Sequence, residues 1–178
     1  MKSFVHRFDI VITEYVRRLP RSWDPFFLVT TRLGDPITVC LIAIIIGAWA
    51  FTERSIRLAI AAASIPATLT IGYGLKLFFE RARPLIDLGY NLRLDSFSFP
   101  SGHSSGSMIA YGLLSYIAWL SLPTPWNLVI AFILGVVPFA VGISRIYLGV
   151  HYPSDVVVGW GLGLVVLAIV IFVVRPLS

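Results

Sequence analysis

What most constrains this chain is where its charges are missing. No Asp, Glu, Lys or Arg occurs over 36–52 (17 residues), 58–75 (18), 96–144 (49) or 156–174 (19). A bilayer's hydrocarbon core is about 30 Å thick and takes roughly 20 apolar residues as helix. Three of the windows fit one crossing each. The window of 49 is too long for one and suits two. It divides at Ser121-Leu122-Pro123-Thr124-Pro125, because proline removes a donor and clashes with the preceding turn. The expectation is an all-α polytopic membrane bundle of about five spanning helices, near 36–52, 57–79, 103–120, 127–144 and 155–174. Composition agrees. The chain is 57% hydrophobic and 13% charged, with a mean hydropathy of +0.86. That is about half the charge of an ordinary soluble domain, and too apolar for disorder.

The N-terminus follows another pattern. Phe4, Phe8, Val11, Tyr15 and Leu19 recur at steps of four and three, with Arg7, Glu14, Arg17 and Arg18 between them. This amphipathic spacing predicts a helix lying in the interface rather than a crossing or a signal peptide. A second short interfacial helix is expected over 22–33, ended by Gly34-Asp35-Pro36. The chain reads as one domain, 1–178, with an interfacial segment (1–34) and a spanning bundle (35–178). Five crossings put the N-terminus and the loops at 80–102 and 145–154 on one face. The 53–57 loop, the 121–126 turn and the C-terminus lie on the other. Cys40 has no partner for a disulfide and reads as a small core residue.

Charges at membrane depth default to a functional role, and the unusual residues gather near the first face. Lys76 and Arg83 are two helical turns apart and can share a face. Ser101-Gly102-His103 opens the third span, and Ser144-Arg145, His151 and Asp155 surround the start of the last. Lys76, Arg83 and Arg145 would repel one another in a low dielectric unless an anion sat among them. Phosphate fits, because it accepts several charge-assisted hydrogen bonds and matches arginine in bidentate fashion. Ser101 and Gly102 can add a hydroxyl and backbone N–H groups at a helix start. His103 and His151 supply a proton donor and a nucleophile, and Asp155, four residues after His151, can fix its tautomer. The net charge of +5 points to anionic headgroups or a phosphorylated substrate, not to nucleic acid.

Each piece alone has a plainer reading. Lys76, Arg81 and Arg83 can close a span, Pro100-Ser101-Gly102 can be a turn and cap, and His151–Asp155 can be a structural pair. Two histidines and one nearby carboxylate make a poor metal site. Gly159 with Gly163, and Gly102 with Gly106, read as helix-packing pairs. The five tryptophans read as interfacial belt or core.

Taken together, the three clusters resemble the type 2 phosphatidic acid phosphatase superfamily of membrane lipid phosphatases. That family's pattern is Lys, six residues, Arg-Pro; Pro-Ser-Gly-His; then Ser-Arg, five residues, His, three residues, Asp. Here it reads Lys76…Arg83-Pro84, Pro100-Ser101-Gly102-His103 and Ser144-Arg145…His151…Asp155. The resemblance implies an enzyme without metal or cofactor. His151 would become a phosphohistidine, Asp155 would orient it, and His103 would protonate the leaving group and then activate water. Lys76, Arg83, Arg145, Ser101 and Gly102 would hold the phosphoryl oxygens. The implied partners are the bilayer and an amphiphilic lipid phosphate: a prenyl diphosphate, phosphatidylglycerol phosphate, phosphatidic acid or a lipid A phosphate. Larger members carry a sixth span, here replaced by the amphipathic helix.

The resemblance also implies a bacterial inner-membrane protein with its site outside the cytoplasm. Charge points the other way, since 11 of the 14 Lys and Arg fall on the site face. The family expectation is preferred, because an interfacial helix is not a loop between spans. The alternatives are a lipid phosphotransferase on the same scaffold and a non-enzymatic protein that binds or transports lipid phosphates. A soluble haloperoxidase with similar motifs does not fit the apolar composition.

Overall fold

A computed structural model of the chain describes residues 2–84 and 96–174, with side chains from residue 4. Arg93 and Arg175 of the charge count lie outside the described residues, as does the side chain of Lys2. Seven α-helices occur among the described residues: α1 (Lys2–Arg17), α2 (Asp24–Arg32), α3 (Pro36–Thr52), α4 (Ile56–Phe79), α5 (Gly102–Ser121), α6 (Trp126–Tyr147) and α7 (Pro153–Val174). A single 3-10 turn, Arg21–Trp23, precedes α2. The expected five long helices and two short ones stand where the charge windows and the amphipathic spacing placed them.

The span count is more restrictive than expected. Among the described residues, α4, α6 and α7 are each long and apolar enough to cross a membrane. A fourth crossing arises if Arg21–Arg32 and α3 form one span bent by 41°. Neither α3 nor α5 passes by itself. With 17 residues, α3 is short. α5 opens Gly-His-Ser-Ser-Gly-Ser, a start too polar to face lipid. The physical reason lies in packing. α5 is the inner helix, in contact with α3, α4, α6 and α7, and its serines at 104, 105 and 107 are fully buried. A helix sheathed by others need not be apolar on every face.

Close approach of α7 to α5 sets the geometry at the site end. A Cβ at Gly159 would stand 2.6 Å from the Ser101 carbonyl oxygen, and one at Gly163 would stand 2.7 Å from that of Ser105. These two glycines therefore pack the helices, as the sequence implied. That contact brings Ser101 N–H to the Asp155 carbonyl at 3.0 Å, tying the two helix starts together. Gly102 and Gly106 part company. A Cβ at Gly106 would meet Leu69 at 2.9 Å, whereas one at Gly102 would meet open space.

The core joins Val39 and Ile46 of α3, Ile65 of α4, Ile109 and Leu113 of α5, and Val170 of α7. Large apolar residues such as Phe51, Phe132 and Phe172 point outward, the arrangement a lipid solvent favours. Trp23, Trp49, Trp119 and Trp126 are exposed near helix ends, as a belt requires. Trp160 instead packs on Gly142 and donates to the Pro138 carbonyl at 3.0 Å. Cys40 is half-buried on α3 rather than in the core.

The N-terminal segment is more than an interfacial anchor. Its stripe of Phe4, Phe8, Val11, Tyr15 and Leu19 is exposed, free to meet a membrane surface. The opposite side of α1 packs on α6 and α7, and α2 packs on α6.

Candidate active site

Five element ends meet on one side of the bundle: the starts of α3, α5 and α7 and the ends of α4 and α6. They enclose a cavity of about 800 Å³ whose lining includes Asp35, Lys76, Arg83, Ser96, Gly102, His103, Arg145 and His151 at its polar end. Ile37, Leu69 and Tyr73 line the apolar side, between α3 and α4. The alternation of crossings thus brings together residues as far apart in sequence as Lys76 and His151.

The three expected cations converge here, each held by neutral groups. Lys76, near the end of α4, donates from Nζ to the Phe97 carbonyl at 2.6 Å. Arg83 donates to the carbonyls of Ser96 and Val150, both at 2.8 Å. Arg145, almost fully buried near the end of α6, donates from Nη1 to the Thr31 hydroxyl at 2.6 Å. Its Nε has no partner among the described residues. An unpaired N–H on a buried guanidinium is costly, and an anion in the cavity would satisfy it.

His151 sits in the short turn between α6 and α7, 3% exposed. Its Nε2 lies 3.3 Å from Arg83 Nη1. Arginine can only donate, so this contact favours the tautomer with its hydrogen on Nδ1 and its lone pair on Nε2. Nδ1 lies 3.5 Å from Asp155 Oδ2, an ion-pair distance too long for a good hydrogen bond. Such contacts commonly tighten only when substrate binds. Burial, reinforced by Arg145, Arg83 and Lys76, pushes the imidazole pKa well below its ordinary value. His151 is therefore neutral at pH 7, the form that can attack. The unfolded chain binds a proton here that the folded chain does not, so stability rises with pH through the ordinary histidine range. The melting temperature in detergent is expected to fall between pH 7.5 and 5.5, and to fall less in His151→Gln. An equal fall in both proteins would show that His151 carries no such linkage.

Asp155 and Ser101 stand behind the cavity wall rather than in its lining. Asp155 is fully buried. Its Oδ2 accepts from Tyr152 N–H at 2.9 Å and its Oδ1 from Arg81 Nη1 at 2.6 Å. The Ser101 hydroxyl caps α5, accepting from Ser104 N–H at 3.3 Å and from the Ser104 hydroxyl at 2.9 Å. A capping role thus belongs to this hydroxyl, because the helix start needs an acceptor; as the acceptor in both bonds it keeps its own proton to donate. Gly102 keeps its place at the cavity, where open space above its Cα leaves the backbone approachable.

Three polar groups of the N-terminal third escaped the sequence reading. Thr31 of α2 holds Arg145. Asp9 of α1 meets Arg81 at 2.7 Å. Asp35 accepts from His103 Nε2 at 2.7 Å, and that hydrogen bond holds its carboxyl below the usual range. Asp35 stands at the N-cap of α3 yet makes no side-chain capping bond. Only its charge at a span end could have pointed to it. Among the described residues, no group of three or more His, Cys, Asp or Glu gathers as a metal site.

A polytopic membrane helix bundle that holds two histidines and three cations around one cavity defines an integral membrane protein with a cationic centre at one end. The chain belongs to the PAP2 superfamily, whose pattern matches residues 55–177. It is 41% identical over 98 residues to phosphatidylglycerophosphatase B of Bacillus subtilis, covering 54% of this chain and 47% of that protein. The match thus spans about half the length of that relative. It is 35% identical over 152 residues to decaprenylphosphoryl-5-phosphoribose phosphatase of Mycobacterium tuberculosis, covering 82% of this chain and 80% of that one. The fold superposes on the crystal structure of a transmembrane PAP2-type phosphatidylglycerolphosphate phosphatase from Bacillus subtilis with a TM-score of 0.84. That alignment has 29% identity and covers 98% of this chain and 88% of the other.

Proposed function

We propose that this protein is a membrane lipid phosphatase that removes a phosphate from a phosphomonoester or diphosphate of an amphiphilic lipid. The observation that carries the reading is His151 facing a cavity with three cations at one end and an apolar wall at the other. Lys76, Arg83 and Arg145 would hold the phosphoryl oxygens, with the Gly102 backbone beside them. Nε2 of His151 would attack phosphorus as the bond from phosphorus to the lipid oxygen breaks. His103 would give its proton to that oxygen. The Nδ1 proton of His151 would stay opposite Asp155, which balances the charge on the phosphohistidine. In the second half, His103 would take a proton from water as the water oxygen attacks phosphorus and the phosphorus–nitrogen bond breaks. Inorganic phosphate and neutral His151 result. Positioning and charge stabilisation dominate phosphoryl transfer.

The cations stand where a divalent ion would otherwise neutralise charge, so activity in EDTA is expected. The relatives act on different lipids by name, and the substrate is proposed only as a class. An inner-membrane location with the site outside the cytoplasm follows the family. Four of the eleven cations on the site face (Lys76, Arg81, Arg83 and Arg145) are bound into the site and its surroundings, which weakens the charge argument against it. The test is phosphate release by purified protein in detergent with EDTA, on prenyl diphosphates, phosphatidylglycerol phosphate, phosphatidic acid and lipid A phosphates. Metal-independent release from at least one is expected. Folded protein that releases phosphate from none, but passes it to a second lipid, would make it a transferase. Binding without either reaction would make it a carrier.

A further inference from the structure

Asp9 is a carboxylate only 3% exposed, on a helix whose other face is an outward apolar stripe. Its Oδ2 accepts from Arg81 Nη2 at 2.7 Å and from the Ser154 hydroxyl at 2.8 Å, and its Oδ1 accepts from Ser154 N–H at 2.8 Å. Arg81 reaches in the other direction as well. Its Nη1 donates to Asp155 Oδ1 at 2.6 Å and to the Ser154 hydroxyl at 2.8 Å, while its guanidinium lies 4.1 Å over the Tyr152 ring. One guanidinium is thus held between two buried carboxylates, and the second of them faces His151.

We propose that Asp9 is a positioning residue for His151, acting through Arg81 and Asp155. An arginine facing a single carboxylate tends to take both its oxygens in a fork. Here Asp9 occupies one arm of Arg81, so Arg81 meets Asp155 through Oδ1 alone. Oδ2 is left to Tyr152 N–H and to the Nδ1 side of His151. Ser154, bonded to Asp9 through both its hydroxyl and its backbone, anchors the first turn of α7 to α1 and keeps this spacing. Without Asp9, Arg81 would swing onto Asp155, draw Oδ2 away from Nδ1 and release the tautomer. The N-terminal helix is by this account part of the machinery that aims the nucleophile.

The consequence for rate rests on the phosphatase reading; the consequence for His151 itself does not. The chain has three histidines, His6, His103 and His151, so ¹⁵N-histidine labelling in detergent gives a simple spectrum. The His151 signals are identified by their loss in His151→Gln. Wild type is expected to show mainly the Nδ1–H tautomer. Asp9→Ala is expected to lose that preference, with kcat lower by about 10- to 100-fold, as for removal of outer-shell partners, and KM little changed. Asp9→Glu should recover much of both. Asp9→Asn keeps acceptor and donor groups without the charge, and serves with the same readout if Asp9→Ala does not fold. Folded variants with wild-type His151 signals would overturn the proposal, whatever their rates. Shifted His151 signals in a protein whose wild type releases no phosphate would leave the positioning intact and remove the phosphatase reading instead.

Discussion

His151→Ala is expected to abolish phosphate release, with a loss of about 10⁴-fold or more, while the folded protein still binds a lipid phosphate. The magnitude follows from the role. A nucleophile that forms the covalent intermediate cannot be replaced by the groups around it, and loss of such a residue costs about as much as loss of the whole catalytic set. Binding is expected to survive because the proposed phosphate ligands Lys76, Arg83 and Arg145 are positioned by bonds to Phe97, Ser96, Val150 and Thr31 rather than by the imidazole alone. Phosphate release and lipid binding, measured on the same detergent preparation beside wild type, check both halves. A variant within about tenfold of wild type would take the nucleophile's role from His151.

Arg145→Lys retains the charge yet is expected to lower kcat by about 10²- to 10³-fold, the range for losing one oriented donor from an oxyanion site. Arg145 spends Nη1 on Thr31 and keeps Nε unpaired in a buried position. A planar fork can serve Thr31 and a phosphoryl oxygen together, whereas an ammonium is a compact point charge on a flexible stem. Steady-state kinetics on the best lipid of the panel, with a melting curve to confirm folding, check this outcome. A near-normal rate would make Arg145 a structural residue.

Much of the bundle was legible because lipid imposes a coarse rule. Every backbone polar group must be satisfied within the helix, and a charge is costly over the whole thickness. The charged stretches between the windows, 53–57 and 145–155, and the prolines at 123 and 125 therefore marked the boundaries of α3, α4, α6 and α7 closely. Rules of this kind see faces averaged over a window. They do not see that α5 is sheathed by four helices, so its polar start looked no different from that of a lipid-facing span. The clustering was legible in residue type and motif spacing, as in Lys76…Arg83 and His151…Asp155, but not through shared helical turns: α4 ends at Phe79 and α7 starts at Pro153, so Arg83 and His151 lie in the segments outside those helices. For Ser101 the sequence offered both a cap and a ligand, because a hydroxyl at a helix start serves either, and the structure shows the cap.

Asp9, Thr31 and Asp35 show the remaining limit. Their partners Arg81, Arg145 and His103 lie 72, 114 and 68 residues away, and no local pattern records a pairing at that separation. By itself the sequence determined the membrane class and the helix boundaries, which follow from hydropathy, and named the candidate residues for phosphoryl chemistry, which follow from residue type and motif spacing. Only the tertiary structure decided which helix is central, which hydroxyl is a cap, and that the N-terminal helices reach into the site. Those facts depend on close approach between distant segments, set by small residues such as Gly159 and Gly163 and by ion pairs such as Asp9–Arg81 that form only after the chain has packed.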